Sequence, residues 1–149
     1  MKKLDDALSG VTLLGFGTSP IIYFVEAHPQ YDALVTEIFQ RITDGKLEGR
    51  TSAISLSEVL VHPLRRGDNK LAEQYRDLLL HSDNFGLVSV DPRIAEQAAE
   101  LRARHNFRTP DALQIAAALS AGCEVLVTND VALKRVTEIR VLVLGDLEV

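Results

Sequence analysis

Short β-rich runs alternate with helical patterns along the chain, and few folds accept that alternation. The runs Val11–Leu14, Thr51–Ile54, Gly86–Val90, Glu124–Thr128 and Ile139–Leu144 read as strands. Between the first two, Pro20 opens a helix carrying Ile21, Ile22, Phe24 and Val25. A second stripe follows through Tyr31, Leu34, Val35, Ile38, Phe39 and Ile42 and ends at Gly45. Leu71, Ala72, Tyr75, Leu78 and Leu79 mark another amphipathic helix, and Asp91-Pro92 starts one buried through Ile94, Ala95, Ala98, Ala99 and Leu101. Strands joined by helical crossovers pair in parallel and need cover on both faces. The expected fold is therefore α/β: a three-layer α/β/α sandwich with a central, mostly parallel sheet, in a single domain over residues 1–149.

Local signals place several helix boundaries. Ser55-Leu-Ser-Glu58 has the spacing of a capping box, and the helix it starts is expected to stop before Pro63. Thr109-Pro110 repeats the start signal of Asp91-Pro92. The segment Ala112–Ala121 is apolar on nearly every face, which predicts a central helix, closed by Gly122. Asn129–Val136 reads as a short helix.

Composition narrows the function classes. With 149 residues, 46% of them hydrophobic and 25% charged, the chain is long and apolar enough to bury a real core. A formal charge of −5 gives no global attraction to nucleic acid, so such a partner requires metal ions or a local basic surface. Arg65 with Arg66, Arg102 with Arg104 and Arg108, and Lys134 with Arg135 are the local candidates, each pair equally readable as a solvated helix face. The lone Cys123 cannot form an internal disulfide, reads as a buried hydrophobe, and fits a reducing, cytoplasmic setting. Lys2 and Lys3 precede an apolar stretch, but Asp5, Asp6, Gly15, Gly17 and Pro20 break the pattern of a secretory signal. No run is long and apolar enough to span a bilayer, so no membrane partner is expected.

The chemistry-bearing residues fall at strand-to-helix junctions. Glu58, Asp111 and Asp130 each follow a predicted strand or open a helix, at the sheet edge where open parallel sheets bind ligands. Taken singly, each acid has a local use: Glu58 in the capping box, Asp111 at a helix dipole, Asp130 as a cap. Taken together, converging carboxylates repel one another, and a hard divalent cation relieves that repulsion. Oxygen-only ligation suits Mg²⁺ or Mn²⁺. His28, His62, His81 and His105 are scattered and form no soft-metal motif. A bound cation of this kind supports phosphodiester hydrolysis.

Gly17-Thr-Ser-Pro-Ile-Ile-Tyr-Phe-Val-Glu26, Ser55-Leu-Ser-Glu58-Val-Leu60, Thr109-Pro-Asp111-Ala-Leu-Gln-Ile-Ala-Ala-Ala-Leu119 and Thr128-Asn-Asp130 resemble, in order and spacing, the motifs of PIN domains of the VapC-like toxin ribonucleases. The resemblance covers nearly the whole chain. It implies a Mg²⁺- or Mn²⁺-dependent endoribonuclease, usually a homodimer, that cuts RNA and is held inactive by a cognate antitoxin protein. It assigns catalytic and metal-binding roles to Glu58, Asp111 and Asp130, and supporting roles to Thr18, Ser19 and Thr128. In that family the first motif begins with aspartate, so Gly17 marks a vacant ligand position. Glu26 lies about 13 Å along the same predicted helix, at 1.5 Å per residue, too far to replace it. The expected consequence is impaired cleavage, with a catalytically inactive module that binds RNA or an antitoxin partner as the alternative.

Two rival α/β readings are weaker. Gly15-Phe-Gly17 imitates a dinucleotide-binding turn, but Pro20 stands at the third glycine position. A phosphoacceptor domain needs an aspartate after an early strand, where Gly17 stands.

Overall fold

The computed structural model describes residues 1–149 and opens with strand β1 (Lys2–Lys3) and one helical turn, α1 (Leu4–Ala7). Strand β2 (Leu13–Phe16) leads into α2 (Thr18–Val25) and α3 (Asp32–Thr43), and β3 (Glu48–Ser52) into α4 (Ala53–Arg66) and α5 (Asn69–His81). Strand β4 (Phe85–Val88) precedes α6 (Pro92–His105) and α7 (Thr109–Ser120). Strand β5 (Val125–Thr128), a 3-10 turn over Val131–Arg135, β6 (Arg140–Val143) and β7 (Leu147–Glu148) follow. The main sheet has five strands in the order β4-β3-β2-β5-β6, and every pairing is parallel. Strands β1 and β7 form a separate parallel ribbon that the sequence pattern did not reveal, because each is only two residues long.

The expected three-layer architecture follows from strand alternation. Leu14, Phe16, Val125, Val127 and Leu142 point into one core with α2, α3, α4 and α5. Leu126, with Leu13 and Val141 beside it, points into a second core with α6 and α7. Residues two apart thus share a face, and both faces are covered.

Helix α7 is central, as its composition requires, with Ala112, Ile115, Ala116, Ala117 and Ala118 buried. Its N-terminus has no side-chain cap. A cap contributes about 1 kcal/mol, whereas burying one Ile or Leu contributes roughly 1.5–3 kcal/mol, so burial holds this helix. Gly15 lets it approach the sheet: a Cβ there would lie 2.8 Å from Ala118 Cβ. Gly122, at φ 79°, closes the helix in the left-handed conformation, with Cys123 N–H bonding to Ala118 C=O at 2.9 Å. Cys123 is buried as expected, and desolvation pushes its thiol up to about 11.

Several sequence-based boundaries are corrected. The first strand lies at Leu13–Phe16, not Val11–Leu14: Thr12 N–H donates to Glu124 Oε1 at 2.9 Å, and the pairing with β3 begins at Leu13. The second lies at Glu48–Ser52, not Thr51–Ile54; its Glu-Gly-Arg start carries no apolar signal. The other three strands match their expected runs with ends trimmed or shifted by a residue or two. Ser55 and Glu58 form no capping box: Ser52 is the N-cap, its hydroxyl accepting from Ile54 N–H at 3.2 Å. Helix α4 also continues past Pro63 to Arg66. An interior proline costs about 3 kcal/mol. Here burial of Pro63 offsets part of that cost, and Gly67 at φ 65° ends the helix with Asp68 N–H bonded to Pro63 C=O at 2.9 Å. The N-cap position of α7 is Arg108, whose side chain makes no capping bond, rather than Thr109, which is the first helical residue. Asn129–Val136 shortens to the 3-10 turn with Asp130 as its N-cap.

Candidate functional site

The sheet order reverses between β2 and β5: the chain moves outward through β3 and β4, then returns to lay down β5 and β6 on the other side. Such a switch point opens a crevice at the carboxyl ends of the two strands. Gly17 N–H donates to Val127 C=O at 2.9 Å across its floor.

A cleft of about 150 Å³ lies there, lined by Gly17, Thr18, Ser19, Glu58, Asp111, Thr128 and Asp130 together with Arg108, Gln114 and Leu133. All the site residues expected from sequence therefore meet in one place. Four different elements supply them: the start of α2, the second turn of α4, the first turn of α7 and the turn after β5.

Each acid has one oxygen fixed by a local partner. Glu58 Oε1 accepts from the Thr18 hydroxyl at 2.7 Å, Asp111 Oδ2 lies 3.1 Å from Arg108 Nε, and Asp130 Oδ1 accepts from Ala132 N–H at 2.9 Å. Thr128 bends the chain toward the cleft by accepting from Asp130 N–H at 3.1 Å. The second oxygen of each carboxylate has no protein hydrogen bond. The acids share a cleft without forming a closed cage: no three His, Cys, Asp or Glu side chains come together closely enough to hold a metal ion.

Gly17 forms the gap in this ring. Its backbone, at φ −76° and ψ 178°, is ordinary extended chain and makes no demand for glycine. A Cβ there would meet Thr128 Oγ1 at 3.5 Å, an ordinary contact. Space and conformation both admit a side chain. Glu26 does not fill the gap; it follows the end of α2 and accepts a hydrogen bond from the Tyr75 phenol. Burial, with that carboxylate, pushes the Tyr75 hydroxyl well above its usual range.

Sequence reasoning missed the scaffold below the acids. Gln114 is a buried amide in the otherwise apolar α7. Its Nε2 donates to Ser55 Oγ at 2.7 Å and to Thr18 Oγ1 at 3.1 Å, while its Oε1 accepts from the Ser52 hydroxyl at 3.0 Å. Thr51 Oγ1 donates to Phe16 C=O at 2.8 Å, which leaves the Ser55 hydroxyl to donate to Thr51 at 2.7 Å. The proton directions are thus fixed from Gln114 outward, and Thr18 must donate to Glu58. One polar side chain in a stretch of alanines was the available signal.

Among the basic candidates only Arg108 reaches the cleft. Arg102 Nε donates to Phe107 C=O at 3.1 Å, Arg104 pairs with Glu138 at 2.9 Å, and Lys134 pairs with Asp146. Arg135 Nε donates to His105 C=O at 3.0 Å and its guanidinium covers the Phe107 ring at 4.5 Å. His28 is a capping residue, its Nδ1 accepting from Gln30 N–H at 3.1 Å.

Comparison with known proteins decides the family. The PIN domain family model matches residues 17–139. The chain belongs to the PIN domain family. No curated protein sequence gives a significant match. Solved PIN-type structures share the fold: VapBC2 of Rickettsia felis bound to a promoter DNA fragment is 17% identical with a TM-score of 0.70, covering 88% of this chain and 98% of that one. A toxin–antitoxin complex from Klebsiella pneumoniae is 21% identical with a TM-score of 0.65, covering 89% and 97%. VapC20 of Mycobacterium tuberculosis, a Sarcin-Ricin loop cleaving toxin, is 18% identical with a TM-score of 0.65, covering 87% and 99%. At these identities the likeness concerns the PIN fold. No helix is long and apolar enough to cross a membrane.

Proposed function

We propose that this PIN domain is a Mg²⁺- or Mn²⁺-dependent endoribonuclease of the VapC toxin type, with cleavage impaired at Gly17. The observation that carries the reading is the convergence of Glu58, Asp111 and Asp130 on one cleft at the β2/β5 switch point, each with a free carboxylate oxygen.

The donors fit a hard divalent cation in kind, because all are carboxylate oxygens and no thiol or imidazole lines the cleft. They fall short in number, because Gly17 offers no side-chain oxygen. Glu58, Asp111 and Asp130 would hold the cation only by drawing closer together than they stand without it; bound, it would activate water and neutralise charge on the attacking and leaving oxygens. The chain's own part is positioning. Thr18 fixes Glu58 through Oε1 and leaves Oε2 free to face the cleft. Thr128 turns Asp130 inward, and the Gln114 network holds α2, α4 and α7 in register beneath them. Ser19 adds a hydroxyl on the cleft wall.

On this reading residues 1–149 form one PIN-like domain, acting in the cytoplasm as a homodimer, with RNA as substrate and a cognate antitoxin protein as inhibitor. The complexes of the Rickettsia and Klebsiella relatives support an antitoxin partner, and VapC20 supports an RNA target. A second reading rests on Gly17 and the unclosed ring: a module that binds RNA or an antitoxin without cutting. An acidic cleft attracts a basic peptide segment from such a partner.

Metal-dependent cleavage of RNA by the chain and by Gly17→Asp tests these readings. Weak cleavage that the substitution strengthens supports an impaired nuclease. Equal, robust cleavage by both removes the impairment, and no cleavage by either favours the binding module.

A further inference from the structure

We propose that Arg108 is a phosphate-binding residue for the RNA strand, held ready on Asp111 until substrate arrives. This inference rests on the ribonuclease reading and adds a residue to its site.

An acidic cleft repels a polyanion, so RNA needs a cation at the rim as well as any metal within. Arg108 is the only cationic side chain that lines the cleft. Its side chain is 79% exposed, and it touches Asp111 through Nε alone, leaving Nη1 and Nη2 without protein partners. Those two nitrogens suit the planar, two-point recognition that guanidinium gives to phosphate.

The backbone beneath Arg108 is fixed, while its side chain is held only by the Asp111 contact. Phe107 is buried, its carbonyl accepts from Arg102 Nε, and its ring is covered by Arg135. Arg135 also clamps Asn106 C=O through Nη2 at 3.2 Å. The neighbouring cations thus serve to anchor the loop, and only Arg108 remains to meet a ligand. A cation at Asp111 weakens the Arg108–Asp111 attraction, which releases the guanidinium toward an incoming phosphate. Metal and substrate would then favour the same arrangement of Arg108.

The test is binding, which does not depend on whether Gly17 permits turnover. A fluorescent single-stranded RNA is titrated in Mg²⁺ across a salt series at low temperature, with its intact length checked on a gel after each reading. The wild type is compared with Arg108→Ala, Arg108→Lys and, as a charge control, Arg76→Ala on α5. Arg108→Ala is expected to weaken binding about tenfold and to flatten the dependence of log Kd on log salt by roughly 0.7, the value for one phosphate contact on a single strand. Arg108→Lys is expected to keep the salt slope and recover only part of the affinity, and Arg76→Ala to match wild type. Mn²⁺ titration of Arg108→Ala is expected to show unchanged or tighter metal binding, since a competitor for Asp111 is gone. Equal RNA affinity in wild type and Arg108→Ala overturns the proposal, as does an equal loss in Arg76→Ala or a loss of Mn²⁺ affinity in Arg108→Ala. RNA binding that is undetectable in wild type overturns the ribonuclease reading itself, and this inference with it.

Discussion

Thr18 donates a 2.7 Å hydrogen bond to Glu58 and accepts one of 3.1 Å from Gln114, so one hydroxyl joins the start of α2 to the second turns of α4 and α7. Glu58 therefore stands where it does because of a residue on another element. Its own helix is capped elsewhere, by Ser52. The acidic cleft and the scaffold below it are one hydrogen-bonded unit, and its members can be tested separately.

Gly17→Asp adds a fourth carboxylate to the cleft at a site with ordinary room for its Cβ. Loss of even an outer-sphere metal partner typically costs about 10–100-fold, so the added ligand is expected to tighten Mn²⁺ binding at least tenfold. Thermal unfolding gives an independent sign. In EDTA a fourth carboxylate adds repulsion, and Tm stays level or falls; in Mn²⁺ it rises above that of wild type, because the ligand binds only the folded state. A Tm difference that ignores Mn²⁺ contradicts the ligand assignment.

Gln114→Leu removes two donors and one acceptor from the buried hydroxyls of Ser52, Ser55 and the partly buried Thr18. Leaving such groups unpaired costs about 1–3 kcal/mol. For a chain of this size that lowers Tm by roughly 3–10 °C. The expected companion effect is weaker Mn²⁺ binding, since Thr18 loses its fixed orientation toward Glu58. Calorimetry and metal titration of the same sample check both.

Gly15→Ala sets a methyl group 2.8 Å from Ala118 Cβ, against a helix packed between other elements. Overpacking of this kind costs about 1–3 kcal/mol. Adding Ala118→Gly relieves the clash, although the helix glycine itself costs about 1 kcal/mol. A denaturant double-mutant cycle is expected to give a favourable coupling between the two changes; additivity would show that the contact is not the cause.

Glu138 links acid pH to stability. Burial pushes its carboxyl up, but hydrogen bonds from His105 and Thr137, with the Arg104 guanidinium, outweigh burial and hold it at about 2, below an ordinary 4.5. A depressed carboxyl stabilises the fold above its unfolded pKa and loses that contribution as pH falls through the folded one. The wild-type advantage over Glu138→Gln is thus expected to be full above about pH 4.5 and to vanish toward pH 2. Tm measured for both proteins across that range tests it; an advantage that grows on acidification contradicts the assignment.

Much was already legible in the sequence. Strand and helix alternation gave the three-layer sheet, because apolar period reports which faces are buried whatever the neighbours are. The motif acids Glu58, Asp111 and Asp130 and position 17 could be named from the sequence, because the four motif segments mark them in order, although Asp111 follows helix α6 and no strand. Boundaries were less legible. The β3 start lacks apolar residues, the Ser55–Glu58 spacing imitates a cap that Ser52 makes, and Pro63 signals a stop that burial and the Gly67 turn override.

Tertiary structure alone decided what links the acids. That Gln114 orders three hydroxyls, that Arg108 alone among the basic candidates faces the cleft, and that nothing in the backbone requires Gly17 to be glycine are consequences of contacts between distant segments. Gln114 and Thr18 are separated by 96 positions in the chain. Local pattern encodes which surfaces an element buries; it does not encode which partner a polar side chain meets once those surfaces close.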